Sequence, residues 1–356
     1  MKKITVSDEI LQEARNIADK VYHPLGEFLD EKNLKAVLTS MRLKNGKIWP
    51  MPIVLDAEKS IAEKIKGEKE IILADKKNKE IFKLSGISTF KFDKLFFYKN
   101  LFGSEDKNHP GVAKTLEMGD YLVGGKVHLL KKKLKKLHKL FFSPSETKKI
   151  FEKRKWKKVA AFQTRNPPHI SHEYIQKDAL TKVDGLFINP VIGGKKKGDF
   201  RDEHILGAYG ILMKKNYPRN KVILGTLHTF MRYAGPKEAV FHALIRKNFG
   251  CTHMIIGRNH AGAENYYDPY AAHDIFDRFE EKELGIKILK YENAFYCNEC
   301  KKIVLEKECR HGKKARVDIS GNKLREKLTN GEIIPKEFVR KEVAEYLRAK
   351  RKNIFC

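Results

Sequence analysis

From Lys157 onward the chain alternates short apolar runs with helical periods, and this restricts its fold more than any other feature. Apolar runs at 159–162, 185–192, 222–225, 253–257 and 286–289 recur at roughly 30-residue spacing. Between them, 170–180, 202–213, 237–248 and 271–284 carry apolar residues at helical spacing. Strands alternating with helices predict an α/β domain built on a doubly wound parallel sheet. Such sheets bind ligands in the crevice outside the carboxyl ends of their strands. The loops that follow the apolar runs are therefore where chemistry is expected.

Residues 1–150 show no such alternation. Ser7 is a plausible N-cap for a short amphipathic helix, and apolar stretches at 52–55, 70–74 and 121–123 are broken by Gly and charged turns. That pattern predicts a small, mostly β domain. The tract 126–139, rich in Lys and His, reads as a solvated face near a domain edge rather than a binding stripe. A helix opens at Ser143-Pro144-Ser145. The expected division is 1–150, a β-rich domain; 151–312, the α/β domain with an insertion at 297–311; and 313–356, a separate helical tail.

With 356 residues, 41% of them hydrophobic, the chain can bury a full core, which excludes wholesale disorder. No stretch approaches the roughly 18 apolar residues of a membrane span. The N-terminus MKKITVSDEI lacks the apolar region of a secretory signal, so a cytoplasmic protein without membrane contact is expected. The formal charge of +28 points to polyanionic partners without choosing among them, and a Lys/Glu-rich surface is equally a habit of heat-adapted proteins.

The first apolar run leads into Gln163-Thr164-Arg165-Asn166-Pro167-Pro168-His169-Ile170-Ser171-His172-Glu173. Asn166 as N-cap and Pro167 in the first helical position predict a helix start facing the strand end, a ready phosphate site. His169 and His172, three apart, then share a helical face and can stabilise charge growing on a phosphorus. A second cluster, Gly257-Arg258-Asn259-His260-Ala261-Gly262, also follows a strand, with glycines that permit close approach to an anion. Ser320-Gly321-Asn322-Lys323-Leu324-Arg325 reads equally as a basic site or a well-capped surface helix. The loop Gly193-Gly194-Lys195-Lys196-Lys197-Gly198-Asp199 reads equally as a cover for polyphosphate or a solvated turn.

Cys297, Cys300, Cys309 and His311 form a Cys₃His set suited to structural zinc, the alternative being free buried or redox cysteines. His311 is the weakest member, with one residue between it and Cys309. Cys251 precedes a strand and is expected in the core, while Cys356 is terminal.

These motifs closely resemble those of the ATP sulfurylases (sulfate adenylyltransferases), in the prokaryotic form without a kinase domain. The resemblance rests on the segments 163–173 and 257–262. Met231-Arg232-Tyr233-Ala234-Gly235-Pro236-Lys237-Glu238-Ala239 and His242-Ala243-Leu244-Ile245-Arg246-Lys247-Asn248 carry it further. Tyr22-His23-Pro24-Leu25-Gly26-Glu27-Phe28, Met41-Arg42-Leu43, His109-Pro110-Gly111-Val112 and Gly119-Asp120-Tyr121 extend it into the first domain, which the resemblance makes PUA-like. It implies the reversible reaction of ATP and sulfate to adenosine 5′-phosphosulfate and diphosphate, with Mg²⁺ on the polyphosphate. It further implies that Gln163, Arg165 and the backbone of Ala261 hold sulfate. Gln163, Thr164, Arg165, Asn166, Gly257, Arg258, Asn259 and His260 would bind ATP. Thr164, Arg165 and Asn166 would sit at the reacting centre, with His169 and His172 stabilising the transition state. A cysteine cluster of this kind occurs in some prokaryotic members, which supports zinc.

Two departures stand out. Asn259 replaces the family's usual Asp, keeping an oxygen and adding a donor, so nucleotide binding is expected with altered protonation nearby. The sequence ends at Cys356, so no kinase-like domain is expected. A homo-oligomer, with a dimer favoured, is expected from relatives, and no nucleic acid partner. Another nucleotidyltransferase of the His-x-x-His superfamily is the alternative, although Ser171 stands where those enzymes usually have Gly. An RNA-binding protein is a third reading, opposed by lysine runs without interleaved stacking aromatics.

Overall fold

The computed structural model describes residues 1–130, 138–195, 197–263 and 266–356. Lys196 and half of the basic tract at 126–139 therefore lie outside the described residues. The N-terminal part builds a six-stranded sheet from β1 (Lys2–Thr5), β2 (Glu27–Phe28), β3 (Asp56–Ala57), β4 (Glu70–Ala74), β5 (Glu80–Lys91) and β6 (Tyr121–Leu129). Its order is β1-β4-β5-β6-β2 with β3 also on β6, and only the β1–β4 pair is parallel. Ser7 caps the helix Asp8–Ala18 by accepting from Ile10 N, as its sequence predicts.

Two strand expectations fail here. Residues 52–55 are not a strand; Pro52 has no N–H to give a ladder. The segment instead lends the carbonyls of Ile53 to Leu29 N and of Leu55 to Val123 N. Conversely β5, twelve residues long, was not anticipated. Gly86 (φ +66°) lies where its register with β6 shifts, and that irregularity hides the alternation.

The second sheet follows the expected plan. It comprises β7 (Val159–Thr164), β8 (Gly185–Ile192), β9 (Val222–Leu224), β10 (Leu227–His228), β11 (His253–Ile256) and β12 (Lys287–Lys290). The order is β10-β8-β7-β11-β12, with β9 on β8 and every pair parallel. β9 and β10 both pair with β8, so the third apolar stretch begins one strand interrupted at Gly225 and Thr226. From β7 the chain winds outward through β8 to β9, then returns to the opposite side of β7 for β11 and β12. The winding direction reverses between β7 and β11, which fixes the crevice at their carboxyl ends.

The helical period at 271–284 is met by pieces rather than one helix: Ala271–Asp274, a 3₁₀ turn Ile275–Arg278, and Glu281–Leu284. Phe279 takes extended backbone (φ −130°, ψ 134°) and breaks the run. The tail is helical at Gly321–Asn330 and Lys341–Ala349, but it is not separate. Leu324, Leu328, Phe338, Val343 and Leu347 share one buried cluster with Phe162, Ile188 and Tyr209 of the α/β domain.

The N-terminal and α/β parts also share a core. Tyr22 and Trp49 pack on Phe241 with ring centroids 5.3 and 5.5 Å away. Asn248 Nδ2 donates to the carbonyls of Val21 and His23, at 2.9 and 2.7 Å. The first domain thus forms a wall beside the helix Gly235–Asn248.

Candidate active site

At the end of β7, Thr164 Oγ1 accepts from Asn166 N and donates to Asn166 O, both at 3.1 Å. This closes a tight loop before the prolines. The helix does not start at Pro167: it runs Ile170–Leu180, with His169 as N-cap. Two consecutive prolines account for the difference, because Pro168 pushes the residue before it out of the helical region.

His169 Nδ1 accepts from His172 N at 3.3 Å, so the proton of its neutral ring resides on Nε2. The two imidazoles stack with centroids 3.6 Å apart and planes 25° apart. His172 also meets the Phe162 ring edge-on, and its Nδ1 is sealed from solvent without a partner. Burial pushes the His169 pKa down to about 3, and burial together with His169 holds His172 well below its usual value. Both rings are neutral at working pH; His169 leaves Nε2 unengaged, and the ring of His172 makes no hydrogen bond among the described residues.

The other side of the crevice is the loop after β11. Asn259 and Ala261 are both left-handed (φ 57°), a conformation that Asn, like Asp, tolerates. Asn259 N donates to Pro269 O at 2.8 Å, and Asn259 O accepts from Gly262 N at 3.3 Å. Arg258 is exposed. The N–H of Ala261 donates to none of the described residues, while its carbonyl accepts from Gly235 N at 3.1 Å. That bond joins the loop to the segment 231–235.

The segment 231–235 links the two sides. Tyr233 is left-handed (φ 59°), uncommon for a bulky residue, and it is held on several sides. Arg165 Nη1 donates to its hydroxyl at 3.2 Å, and the guanidinium lies 5.3 Å from its ring centre. Tyr267 Oη donates to its carbonyl at 3.0 Å and lies 3.2 Å from Nε2 of His109 in the first domain. Glu238, fully buried, accepts from Arg232 N at 2.9 Å and Ala234 N at 3.1 Å. Arg232 in turn donates to Glu13 of the first domain at 2.7 Å. Among the described residues, the side chain of Gln163 makes a weak 3.7 Å contact to Met231 Sδ.

The third basic cluster joins the site. Ser320 caps its helix, and a Cβ on Gly321 would come within 2.6 Å of Asn166 Nδ2, so the helix start lies against the β7 loop. Arg325 contacts Asp199 at 3.4 Å, tying the described part of the 193–199 loop to the same place. The sequence therefore did not single out Tyr233 or Glu238 as site residues, and it left Arg325 evenly between a basic site and a capped surface helix. Proximity to a motif was the only available signal, since nothing local marks a buried Glu on an apolar helix.

Apart from the crevice stands a small three-stranded antiparallel sheet of β13 (Ala294–Cys297), β14 (Lys302–Leu305) and β15 (Arg316–Val317). It brings Cys297, Cys300, Cys309 and His311 together, with all four ligand atoms within 4.8 Å of one another. His311 Nδ1 lies 3.4, 3.3 and 3.6 Å from the three sulfurs, and the sulfur pairs of Cys309 are 3.5 and 3.9 Å. A tetrahedral ion with bonds of about 2.3 Å to sulfur needs sulfurs about 3.8 Å apart and nitrogen about 3.5 Å from each. The set fits, His311 included. Cys251 is buried beside β11 and Cys356 is exposed. Among the described residues, no helix is long and apolar enough to cross a membrane.

Residues 138–350 match the family model described as ATP-sulfurylase, and residues 1–132 match that of a PUA-like domain. A protein named sulfate adenylyltransferase from Pyrococcus abyssi is 47% identical over 334 residues, covering 94% of this chain and 86% of that protein. One of the same name from Cenarchaeum symbiosum is 42% identical over 348 residues, with 98% and 91% covered. Among solved structures, a hexameric APS kinase from Thiobacillus denitrificans aligns with a TM-score of 0.75 at 18% identity. The alignment covers 98% of this chain and 63% of that one, and it speaks to the fold alone.

Proposed function

The chain belongs to the ATP-sulfurylase family, and from that premise we propose that it transfers the adenylyl group of ATP to sulfate, reversibly. The products are adenosine 5′-phosphosulfate and diphosphate. The observation that carries this reading is the convergence of both family loops, 163–172 and 257–262, where the parallel sheet reverses its winding. Sulfate is fully ionised and needs no general base, so the task is to hold two anions together and to neutralise the charge that develops.

In this reading Arg165, Gln163 and the free N–H of Ala261 hold sulfate, and a forked guanidinium suits a tetrahedral dianion. Tyr233 aims Arg165. Gly257, Arg258, Asn259 and His260 hold the nucleotide, with Gln163, Thr164, Arg165 and Asn166 closing on it from β7. A sulfate oxygen attacks the α-phosphorus in line, and the bond from that phosphorus to the bridging oxygen breaks as diphosphate departs. The Nε2–H groups of His169 and His172 donate to the phosphate oxygens where charge grows. Mg²⁺ travels with the polyphosphate as its counter-ion.

The Cys₃His set holds Zn²⁺ as a fastener, since four protein ligands leave no open position for chemistry. We read the reaction as cytoplasmic, where ATP is supplied and metal-binding thiols stay reduced, and the assembly as a homo-oligomer, a dimer in the simplest case. Direct attack has a sharp consequence. Exchange of labelled diphosphate into ATP should require sulfate. Exchange in its absence would mean an adenylyl-enzyme intermediate and would overturn the single-step reading.

A further inference from the structure

We propose that Glu238, acting through His242, fixes His260 as its Nε2–H tautomer, so that His260 offers a bare Nδ1 acceptor to a donor group on the nucleoside of ATP. The inference rests on the reading above, in which the 257–262 loop holds the nucleotide. Glu238 and His242 are positioning residues; neither touches substrate.

The three side chains form a line. Glu238 Oε1 lies 3.5 Å from His242 Nε2, and His242 Nδ1 lies 3.1 Å from His260 Nε2. Glu238 and His242 have no solvent exposure. His242 Nε2 is sealed from solvent, and among the described residues it has the Glu238 carboxylate beside it as an acidic neighbour and no close hydrogen-bond partner. A bare nitrogen lone pair against a buried carboxylate would be repulsive, which places the His242 proton on Nε2. Its Nδ1 is then an acceptor. The 3.1 Å contact requires one proton between two nitrogens, and that proton must come from His260 Nε2.

The electrostatics hold Glu238 as a carboxylate and both imidazoles neutral. Burial works to raise the Glu238 pKa, but His242, the Arg232 N–H and the Arg232 charge together keep it below its usual value. Burial lowers His242, and the Arg246 and Arg232 guanidiniums add to that against the pull of Glu238. His260 is pushed well down by burial, then by His242, Arg246 and His273. A neutral His260 whose Nε2 proton is spent on His242 has only a lone pair left to offer at Nδ1. A lone pair repels phosphate oxygens. It accepts from a ribose hydroxyl or from the adenine amino group. His260 is thereby assigned to the nucleoside, while the phosphates are left to the histidine pair and the arginines.

Two measurements test this. In protein labelled with ¹⁵N-histidine, His260 (identified by loss of its signals in His260→Asn) should show a protonated Nε2 and an unprotonated Nδ1. The opposite tautomer, or an averaged mixture, would overturn the proposal, and this readout needs no variant to be active. The second measurement is kinetic. His242→Phe keeps a buried ring but frees His260 to change tautomer, so KM for ATP should rise about fivefold, the worth of one neutral hydrogen bond, with KM for sulfate unchanged. Equal rises in both, or neither, would contradict a role on the nucleoside side. Triphosphates lacking the 2′-hydroxyl, the 3′-hydroxyl or the purine amino group identify the donor: the right analogue binds wild type more weakly and is indifferent to His242→Phe. If His242→Phe weakens every analogue alike, no such donor is recognised and the proposal fails. Absence of turnover in wild type would instead sink the adenylyl-transfer reading.

Discussion

His172→Ala should lower kcat by about 10²–10³-fold while raising KM for ATP by less than about tenfold. The reason lies in where the ring sits. His172 is stacked on His169, wedged against Phe162, and held neutral, so its ring is preorganised and needs no reorganisation as charge grows beside it. Such a donor is worth more to the transition state than to bound ATP. His169 requires a finer dissection because it also caps the helix Ile170–Leu180. His169→Ala loses cap and donor together, the cap being worth about 1 kcal/mol. His169→Asn restores a capping side chain without an imidazole, so it should recover melting temperature but not kcat. Steady-state kinetics and thermal melts of the three variants check this. A change in KM alone would make the histidines ground-state binders and remove them from the reacting centre.

The second large effect concerns the metal. Stripping it with a chelator should lower the melting temperature by on the order of 10 °C, because binding energy at a structural site is folding energy. Specific activity at a permissive temperature should survive longer than the fold's heat resistance. The path from metal to site explains both halves of that statement. Cys297 pairs with Arg316 across β13 and β15, and β15 leads within a few residues to the N-cap Ser320 and to Gly321, which abuts Asn166. Arg316 also donates to Glu306 at 2.6 Å, closing the module on itself. Loosening the module first costs stability, and only when the helix Gly321–Asn330 drifts does Asn166 lose its neighbour. Cys309→Ser should reproduce the melting shift without a chelator. Loss of activity at once, with the melting temperature unmoved, would place the metal in the chemistry instead.

Much of this was readable in the chain, for identifiable reasons. The parallel sheet was legible because strands buried on both faces, β8 above all, are continuous apolar runs. The Cys₃His cluster was legible because ligand chemistry is carried by residue type and spacing. The helix start was misread because Asn166-Pro167 looks like a cap and first turn until the second proline is considered. The wall formed by the first domain, through Glu13, Tyr22 and His109, was not legible, since those contacts span more than a hundred positions. Nor was the Glu238–His242 pair. On a helix as thoroughly buried as Gly235–Asn248, residues four apart read as one face of a core. Their partner His260 arrives only because β11 returns beside β7. The left-handed backbone of Tyr233 has no sequence signature at all; it follows from the bonds that clamp it.

Adenylyl transfer to sulfate is tested most directly in its favourable direction, as ATP formed from adenosine 5′-phosphosulfate and diphosphate with Mg²⁺. Wild type should turn over readily. Arg165→Ala, which removes the forked donor that Tyr233 aims, should lose at least about 10²-fold in kcat/KM with its fold intact by thermal melt. Folded, metal-loaded wild type that makes no ATP would contradict the assignment of the reaction itself.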